Sequence, residues 1–494
     1  MTILPNYSEF KRHVRQGNVI PVVCELAADL ETPVSVFLKL AREKAHAFLL
    51  ESVELEERLG RFSLIGMDPD IILEYQNEQC TFSKNGKRSV KLKNDLLKII
   101  ENVLKRYRLA KNQKLPPLAG GLVGYIGYEL VQQFEEVKFR VKNGIAVPDS
   151  VLFFPTNLVV FDHIKHQLKL VHLAIVNGPC ERAYRKALRE LKQMERKLTQ
   201  PIQERPFSKR KKTGKVTLKS HIGRRRFETI VRRAKEYIRA GDCIQIVLSQ
   251  RFSLGYVPDD FKLYRTLRSL NPSPYMFYFR HRDMSLIGSS PEMLAKKTGS
   301  AAEIRPIAGT RPRGETEKED LAYEAALLAS PKEMAEHLML VDLGRNDLGR
   351  VCHARSVRVH DFARVERYSH VMHLVSEIKA TLKQGADSFD LLRASFPAGT
   401  VTGAPKIRAM QIIDELETEK RGPYAGSLGY FSLAGDMDMC ITIRTIVVYR
   451  KQAYVQAGAG IVNDSVPNKE FHETINKAKA LLRAVQMSRG VNTL

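Results

Sequence analysis

The chain has 494 residues, 44% of them hydrophobic and 27% charged, and this ordinary globular balance excludes disorder over the whole length. At about 100–200 residues per domain, the length predicts roughly two to four compact units. The formal net charge of +24 allows either a nucleic-acid or acidic-membrane partner or a basic solvated surface. Because the densest basic stretch, 204–226, carries no DNA- or RNA-binding motif, we expect no nucleic-acid partner.

The sequence carries no pattern for secretion or membrane insertion. No apolar core follows the N-terminal residues MTILPNYSEFKRHVRQ, and no run approaches about 18 uncharged apolar residues. The six cysteines lie far apart without a CxxC pair, which indicates reduced thiols rather than a disulfide framework or a zinc site. We therefore expect a cytoplasmic protein without a membrane partner.

The first 200 residues alternate short apolar runs with turns, a pattern that predicts strands. The segment AGGLVGYIGYEL at 119–130 carries four glycines among apolar residues, which favours a strand packed closely against another backbone. Residues 181–199 predict a long charged helix, and the basic, turn-rich stretch after it predicts a boundary. We therefore predict an N-terminal domain at 1–200, a basic linker at 201–222 and a C-terminal domain at 223–494.

The C-terminal part mixes helices and strands in an irregular order. The predicted helices lie at 224–240, 317–329, 331–350, 403–416 and 467–487. The predicted strands lie at 243–253, 275–280, 284–288, 427–433, 438–449 and 452–457. Several strands are neighbours in the manner of hairpins, and regular βαβ alternation is lacking. The pattern therefore predicts an α+β fold with antiparallel sheets rather than a doubly wound fold.

Two predicted helices carry paired acidic residues. Glu333 and Glu336 are three residues apart in one of them. Glu470 and Glu473 are three apart in the last helix, where Lys477 follows on the same face. Four carboxylates that converged would repel one another unless they shared a cation, and hard oxygen ligands suit Mg²⁺. The other interpretation, two solvated helix edges, stays open at this point.

Glycine-rich turns and a histidine pair are further candidates. AGAGIV at 457–462 and IAGT at 307–310 place glycines beside apolar strands, where backbone N–H groups could bind an anion or simply form tight turns. FPAGTVTGAPKIRAM at 396–410 has the wrong spacing for a nucleotide-binding P-loop but could hold an anion where it opens a helix. His370 and His373 would share a helix face as metal ligands do. No cysteine or HExxH context supports zinc, and packed histidines are the alternative.

Read together, these segments resemble the chorismate-utilising enzymes, and among them the anthranilate synthase component I family. The matching motifs over 241–480 are, in order, GDCIQIVLSQRF, NPSPYMFYF, GSSPEML, RPIAGTRPRG, PKEMAEHLMLVDLGRNDLGR, YSHVMHLVSEI, GTVTGAPKIRAM, RGPYAGSLGYF, MCITIRT, VQAGAGIVNDSVP and EFHETINKAKA. The N-terminal half adds LLES at 49–52, GRFS at 60–63 and GGLVGYIGYE at 120–129. The ordered set is far more specific than any one of its motifs.

The resemblance implies antiparallel sheets packed together and flanked by helices, with chorismate and Mg²⁺ bound between them. It implies that Glu336 and Glu473 bind Mg²⁺. Glu333 and Glu470 would lie around the ion or reach it through water. The residues implied to bind the substrate are Gly309, Thr310, Thr400, Tyr424, Arg444, Gly458, Ala459, Gly460 and Lys477. In that set the tyrosine and the arginine would hold the enolpyruvyl carboxylate, for which the planar fork of arginine is well suited.

The implied reaction replaces the C4 hydroxyl of chorismate by ammonia arriving at C2, after which pyruvate is eliminated and the ring becomes aromatic. Because hydroxide leaves poorly, a general acid is required, and Glu292 in SSPEML is the candidate. A neighbouring negative ring carboxylate would help to keep Glu292 protonated. His373 is the candidate base for the C2 proton, and Mg²⁺ would clamp the ring carboxylate.

Two positions separate the relatives within this resemblance. Isochorismate and salicylate synthases carry a water-activating lysine where this chain has Gln245. Aminodeoxychorismate synthases typically read PIKGT, with a lysine thought to attack the substrate, where this chain reads PIAGT with Ala308. Both differences favour anthranilate as the product. Aminodeoxychorismate synthase component I is the first alternative, and isochorismate synthase is the second.

The resemblance also implies a partner and a regulator. The sequence contains no recognisable Cys/His/Glu glutaminase module, so ammonia would come from a glutamine amidotransferase subunit, in a heterodimer or a heterotetramer. The residues implied to bind L-tryptophan in feedback inhibition are Glu51, Ser52, Pro274, Tyr275, Met276 and Cys440. The alternative for the Pro-Ser-Pro segment is a rigid turn without a ligand.

Overall fold

A computed structural model describes residues 3–52, 60–84, 86–92, 95–110, 120–140, 143–202, 216, 218–368 and 371–490. Its α-helices are α1 (Tyr7–Val14), α2 (Pro33–Leu40), α3 (Leu96–Lys105), α4 (Cys180–Leu198), α5 (Gly223–Arg239), α6 (Asp260–Leu270), α7 (Glu317–Leu328), α8 (Pro331–Val351), α9 (Ser388–Ser395), α10 (Lys406–Leu416) and α11 (Pro467–Ser488). Three 3₁₀ helices lie at Tyr128–Gln133, Ala354–Ser356 and Gly399–Val401. Among the described residues, no helix is both long and apolar enough to cross a membrane.

The strands outnumber the helices. They are β1 (Ile3–Leu4), β2 (Val19–Ala27), β3 (His46–Glu51), β4 (Phe62–Gln76), β5 (Gln79–Lys84), β6 (Lys87–Leu92), β7 (Gly121–Ile126), β8 (Ser150–Asp162), β9 (Gln167–Ile175), β10 (Lys219–Ser220), β11 (Gln245–Tyr256), β12 (Tyr275–His281), β13 (Met284–Ser290), β14 (Met293–Thr298), β15 (Ala301–Ile304), β16 (Ile307–Pro312), β17 (Arg358–Arg367), β18 (Val371–Thr381), β19 (Gly403–Ala404), β20 (Ser427–Ser432), β21 (Met437–Ile441), β22 (Thr445–Tyr449) and β23 (Gln452–Ile461).

Two long strands fold the antiparallel sheet into two layers. β4 pairs with β8 along its length, but its first half also pairs with β3 and its second half with β5. β8 likewise pairs with β7 at its beginning and with β9 at its end. A register shift between Pro69 and Ile71 interrupts the pairing of β4 with β8. Such irregularities let a strand bend from one sheet into another.

The two layers enclose a common apolar core. The first layer continues from β3 through β12, β13, β22 and β23 to β11. The second continues from β7 through β20, β21, β14 and β15 to β18, which also pairs with β16 and β17. Between them, the rings of Phe153 and Phe279 stack with centroids 4.9 Å apart, and Tyr125 meets Phe279 edge-on. Burying each such ring contributes about 1.5–3 kcal/mol.

Helices cover the outer faces of both layers. Apolar residues of α1, α2, α4, α6 and α11 share a second core with the first layer. α5 and α10 pack on β11 and β23 through a third core. α7 and α8 contact β16 and β18 of the second layer. α8 and α11, the two helices with paired glutamates, therefore pack on different layers.

The starts of α8 and α11 are fixed by sequence. Each has proline in its first turn, where the missing N–H is not needed and the fixed φ suits a helix. The Ser330 hydroxyl also accepts the Glu333 N–H at 3.4 Å. Glu333 and Glu470 consequently lie in the first turns of their helices, where the helix dipole favours a carboxylate.

Most predicted elements are confirmed, including the α+β architecture of packed antiparallel sheets with flanking helices. Two predictions are wrong in detail. The helix predicted at 403–416 begins only at Lys406, because Gly403 and Ala404 pair with β11 as β19. The strand predicted at 438–449 is two strands, because the backbone turns between β21 and β22.

The predicted division into domains stays a prediction. Most of the basic linker at 201–222 lies outside the described residues. The helix predicted before it is confirmed as α4. Strand pairs β3–β12 and β7–β20 connect the N-terminal and C-terminal parts of the chain.

Candidate functional site

The acidic helix α8 reaches the edge formed by β11 and β23. Gln245 Nε2 on β11 donates to Glu336 Oε1 at 3.4 Å. A Cβ added at Gly460 on β23 would come within 2.5 Å of that same Nε2. Glycine at this position therefore lets the Gln245 amide cross the strand and touch the carboxylate.

One carboxylate of each acidic helix, Glu336 of α8 and Glu470 of α11, has a raised pKa. Burial and the charge of Glu333 raise the pKa of Glu336. Burial and the nearby Glu473 carboxylate raise the pKa of Glu470. The Lys332 ammonium partly opposes the rise in the pKa of both Glu336 and Glu470, so it lies within electrostatic range of both carboxylates. Carboxylates crowded in this way gain from a nearby cation.

The donor chemistry of these glutamates fits Mg²⁺, although two of the carboxylates are engaged. Glu333 accepts from Arg311 Nη1 at 3.1 Å, and Glu473 accepts from Lys477 Nζ at 2.7 Å. Within the described part of the chain, no three His, Cys, Asp or Glu side chains converge closely enough to hold one metal ion. Mg²⁺ usually takes only one or two protein carboxylates and completes its shell with water and substrate oxygens. The residues therefore fit an open site, and the ligand set stays a prediction.

The predicted carboxylate-binding residues are neighbours. Arg444 lies between β21 and β22 with a φ of 49°, a left-handed conformation that costs about 1–3 kcal/mol. It is half-buried, and its Nη1 donates to the Lys477 carbonyl at 2.7 Å. Lys477 Nζ donates to the Gly458 carbonyl at 3.0 Å. A Cβ at Gly458 would come 2.7 Å from the Tyr424 hydroxyl, so only glycine allows this approach. Ala459 follows with its side chain buried.

His373 lies on strand β18 rather than on a helix, and His370 lies outside the described residues. His373 Nδ1 is 2.8 Å from the Gly309 carbonyl and 3.2 Å from the Thr310 hydroxyl. Because a carbonyl can only accept, Nδ1 carries the proton and Nε2 keeps its lone pair. Burial lowers the pKa of His373, which favours this neutral form. Gly309 has a φ of 60°, and a Cβ there would come 3.3 Å from Glu333 Oε2, so this turn borders α8.

Glu292 lies between β13 and β14 and is buried. Burial raises its pKa to about 8, while the Thr400 hydroxyl and the charge of Lys477 oppose that shift. A carboxyl with this pKa is largely protonated at neutral pH. Among the described residues, the buried Thr400 hydroxyl makes no hydrogen bond of standard geometry. The charge of Lys477 opposes the pKa rise of both Glu292 and Glu336, so both carboxyls lie within electrostatic range of this lysine.

A buried ion pair beneath the site was missed by sequence reasoning. Arg421 donates to Glu417 at 2.7 and 2.9 Å. Its other donors reach the carbonyls of Val247 and Val401, each at 2.7 Å. The guanidinium lies 5.7 Å from the centroid of the Tyr424 ring. One side chain thus joins β11, the Gly399–Val401 turn and Tyr424, and the only sequence signal was the RGPY motif.

The residues predicted to bind tryptophan line a single cavity of about 1090 Å³. The Glu51 carboxylate accepts from Arg268 at 2.9 and 3.0 Å and from the Tyr264 hydroxyl. Tyr275 donates to Asp438 Oδ1 at 2.9 Å. The structure brings all six residues together, and their binding role stays a prediction.

The same cavity extends towards the catalytic candidates. Glu366, Tyr368 and Glu377 also line it. The Tyr368 ring lies 5.5 Å from the His373 ring, measured between centroids. β18 therefore carries His373 at one site and Glu377 at the other.

The chain is similar to known proteins over most of its length. A family model described as chorismate binding enzyme matches residues 45–483. The chain belongs to the chorismate-binding enzymes. A member named anthranilate synthase component 1 from Acetivibrio thermocellus is 43% identical over 98% of both chains. Another of that name, from Aquifex aeolicus, is 44% identical over 99% of both.

Solved structures of chorismate-binding enzymes match the fold. The crystal structure of anthranilate synthase component I from Streptococcus pneumoniae TIGR4 is 37% identical, covers 93% of this chain and 99% of its own, and gives a TM-score of 0.77. The menaquinone-specific isochorismate synthase MenF from Escherichia coli gives a TM-score of 0.69 over 97% of this chain and 98% of its own. At 19% identity the second match shows the shared fold alone. The family resemblance drawn from the motifs is thereby confirmed.

Proposed function

We propose that this chorismate-binding enzyme is the component of an anthranilate synthase that converts chorismate and ammonia into anthranilate and pyruvate. Near-full-length similarity to proteins named anthranilate synthase component 1 carries the proposal. Ala308 supports the proposal. It pairs with Leu374, the residue next to His373 on β18, and its methyl side chain offers no nucleophile. Free ammonia would then be the attacking group, which disfavours the aminodeoxychorismate alternative.

The proposed chemistry divides between an acid and a base. Glu292 donates a proton to the departing C4 hydroxyl, which leaves as water when ammonia bonds to C2. His373 Nε2, left unprotonated by the contact of Nδ1 with Gly309, removes the C2 proton as pyruvate is eliminated. Arg444 and Tyr424 hold the enolpyruvyl carboxylate. Mg²⁺, held by Glu336 with Glu473, would neutralise the ring carboxylate.

The function is tested by identifying the product. The purified chain is expected to form anthranilate from chorismate, MgCl₂ and ammonium, because the proposed acid, base and carboxylate-binding residues all lie in this chain. Fluorescence and mass distinguish anthranilate from aminodeoxychorismate and isochorismate. Glutamine in place of ammonium is the control and should give no product. Absence of chorismate consumption, or another product, would contradict the proposal.

A second subunit follows from the proposed function. The relatives are named component 1, and the sequence offers no glutaminase module of its own. We infer that a glutamine amidotransferase subunit supplies ammonia, in a heterodimer or a heterotetramer. Adding that subunit should make glutamine an effective nitrogen source.

Feedback inhibition by L-tryptophan is proposed for the 1090 Å³ cavity. Ser52→Phe is expected to raise the tryptophan concentration for half-inhibition by at least about tenfold, a loss of about 1.4 kcal/mol, because the added ring occupies the wall where the ligand would lie. The measurement is inhibition of anthranilate formation, with the rate without tryptophan recorded alongside. Ser52→Ala is the control, since it removes the hydroxyl without filling space. Unchanged inhibition by Ser52→Phe would remove Ser52 from the site.

A further inference from the structure

The lysine of the GAPK segment forms a buried ion pair with α8. Lys406 Nζ lies 2.9 and 3.0 Å from the two carboxylate oxygens of Asp347 and 3.4 Å from the Ser395 carbonyl. Only 9% of the lysine side chain and 11% of the aspartate side chain are exposed. Because removing two charges from water costs several kcal/mol, such a pair is weak evidence for stability alone. The position of the pair, close to the cavity that Glu292 also lines, indicates a role in the chemistry.

A small cavity is lined both by the aspartate of this pair and by the proposed general acid. The cavity measures about 30 Å³, and Glu292, Thr400 and Asp347 all line it. One water needs about 10–15 Å³ and two to four polar partners, so roughly two waters fit between these groups. The remaining wall is mostly apolar, with Leu340 and Leu343 among its residues.

The two carboxyls share the cavity without touching. Burial raises the pKa of Glu292, and the charge of Lys477 opposes that rise. The pKa of Asp347 is raised by burial, lowered by Lys406 and Arg350, and raised slightly by Glu135. Among the hydrogen bonds of the described residues, none joins the two carboxyls, so a connection between them requires an intervening molecule.

We propose that water in this cavity returns a proton to Glu292 after each turnover, with the Asp347–Lys406 pair as its source. The proposal rests on the function proposed for Glu292 as general acid. Arg305 also lines the cavity, but a guanidinium stays protonated and cannot pass a proton on. The pair of the Asp347 carboxylate and the Lys406 ammonium can pass a proton on.

The proton balance of the step closes. The O–H bond of Glu292 breaks as the C4 hydroxyl leaves as water, and Glu292 becomes a carboxylate. A cavity water then gives a proton to Glu292 and takes one from the Asp347–Lys406 pair. Solvent restores that proton at the exposed part of Lys406. The ammonia that bonds to C2 releases one proton elsewhere, and the proton removed from C2 is matched by the one that forms the methyl group of pyruvate, so the overall reaction consumes none.

The first turnover separates a proton supply from a structural role. Glu292 starts protonated in the resting enzyme, so Asp347→Asn should leave the first turnover within about twofold of the parent. Each later turnover must wait for a proton, so the steady-state rate should fall by at least about tenfold, a change of about 1.4 kcal/mol. Rapid-quench measurement of anthranilate with excess chorismate should show a fast first turnover, seen as a burst, followed by a slower steady-state rate.

Further variants keep the test decisive. Ala398→Val adds two methyl groups to the cavity wall, keeps both charges, and should give the same burst if Asp347→Asn fails to fold. Glu31→Gln is the matched control, since it breaks the half-buried Glu31–Lys39 pair far from the site and should produce no burst. Equal loss in first and later turnovers, or no loss in either variant, would overturn the relay while leaving the proposed function intact. A parent enzyme that makes no anthranilate would overturn both.

Discussion

Replacing Glu292 by glutamine is expected to lower kcat by about two to four orders of magnitude, with little change in KM for chorismate. General acid catalysis contributes that range, and the amide keeps the shape of the carboxyl without a proton to donate. Steady-state kinetics of anthranilate formation measure both constants. Turnover close to that of the parent would remove Glu292 from the mechanism.

The pH profile of the same variant sharpens the test. Burial raises the pKa of Glu292 to about 8, and a general acid works only while protonated. The kcat of the parent should therefore fall as pH rises through about 8, and the residual rate of Glu292→Gln should lack this step. Glu303→Gln is a matched control, because burial and the adjacent Glu377 also raise the pKa of Glu303, yet it lies in the other cavity.

Replacing Glu336 by glutamine is expected to weaken activation by Mg²⁺ by more than about 100-fold. Loss of a supporting group around a metal already costs about 10–100-fold, and a direct ligand should cost more. Glu336 is free to take this role, because among the hydrogen bonds of the described residues its carboxylate contacts only the Gln245 amide. Titration of chorismate consumption with Mg²⁺ measures the change, and direct binding of Mn²⁺ gives a readout independent of activity.

Asp342→Asn provides the control for that experiment. Asp342 lies on the same helix but is 63% exposed and pairs with Arg345. Its replacement should leave Mg²⁺ activation within about twofold, since exposed ion pairs contribute little. An unchanged half-saturating Mg²⁺ concentration in Glu336→Gln would instead support the interpretation of these glutamates as a solvated helix edge.

Local sequence signals predicted the helices that carry the glutamates. Pro331 and Pro467 fix the helix starts, and the three-residue spacing places each acidic pair on one face. Whether the two faces meet depends on strands far apart in sequence. Gln245 and Gly460 become neighbours only through the β11–β23 ladder, which no local pattern encodes.

Long-range contacts also explain what the sequence failed to predict. The spacing of His370 and His373 allowed a helix, but β18 is held between β15, β16 and β17, so pairing decided its conformation. Asp347 and Lys406 are 59 residues apart, and neither residue alone distinguishes a buried pair from a surface charge. The strand predicted at 438–449 is interrupted at Arg444, where the backbone adopts a positive φ. An arginine in the sequence gives no indication of this conformation.

Under the feedback inhibition proposed for the large cavity, strand β18 has a practical consequence. Its Glu377 borders the large cavity, while His373 lies four residues away, about 13 Å along the same strand. An amino-acid change on β18 that relieves inhibition would also disturb the base, so insensitivity gained there should come with slower turnover. Changes at the end of β3, which also lines the cavity, lie on a separate strand. Variants selected for anthranilate formation in the presence of L-tryptophan are therefore expected to carry changes at the end of β3.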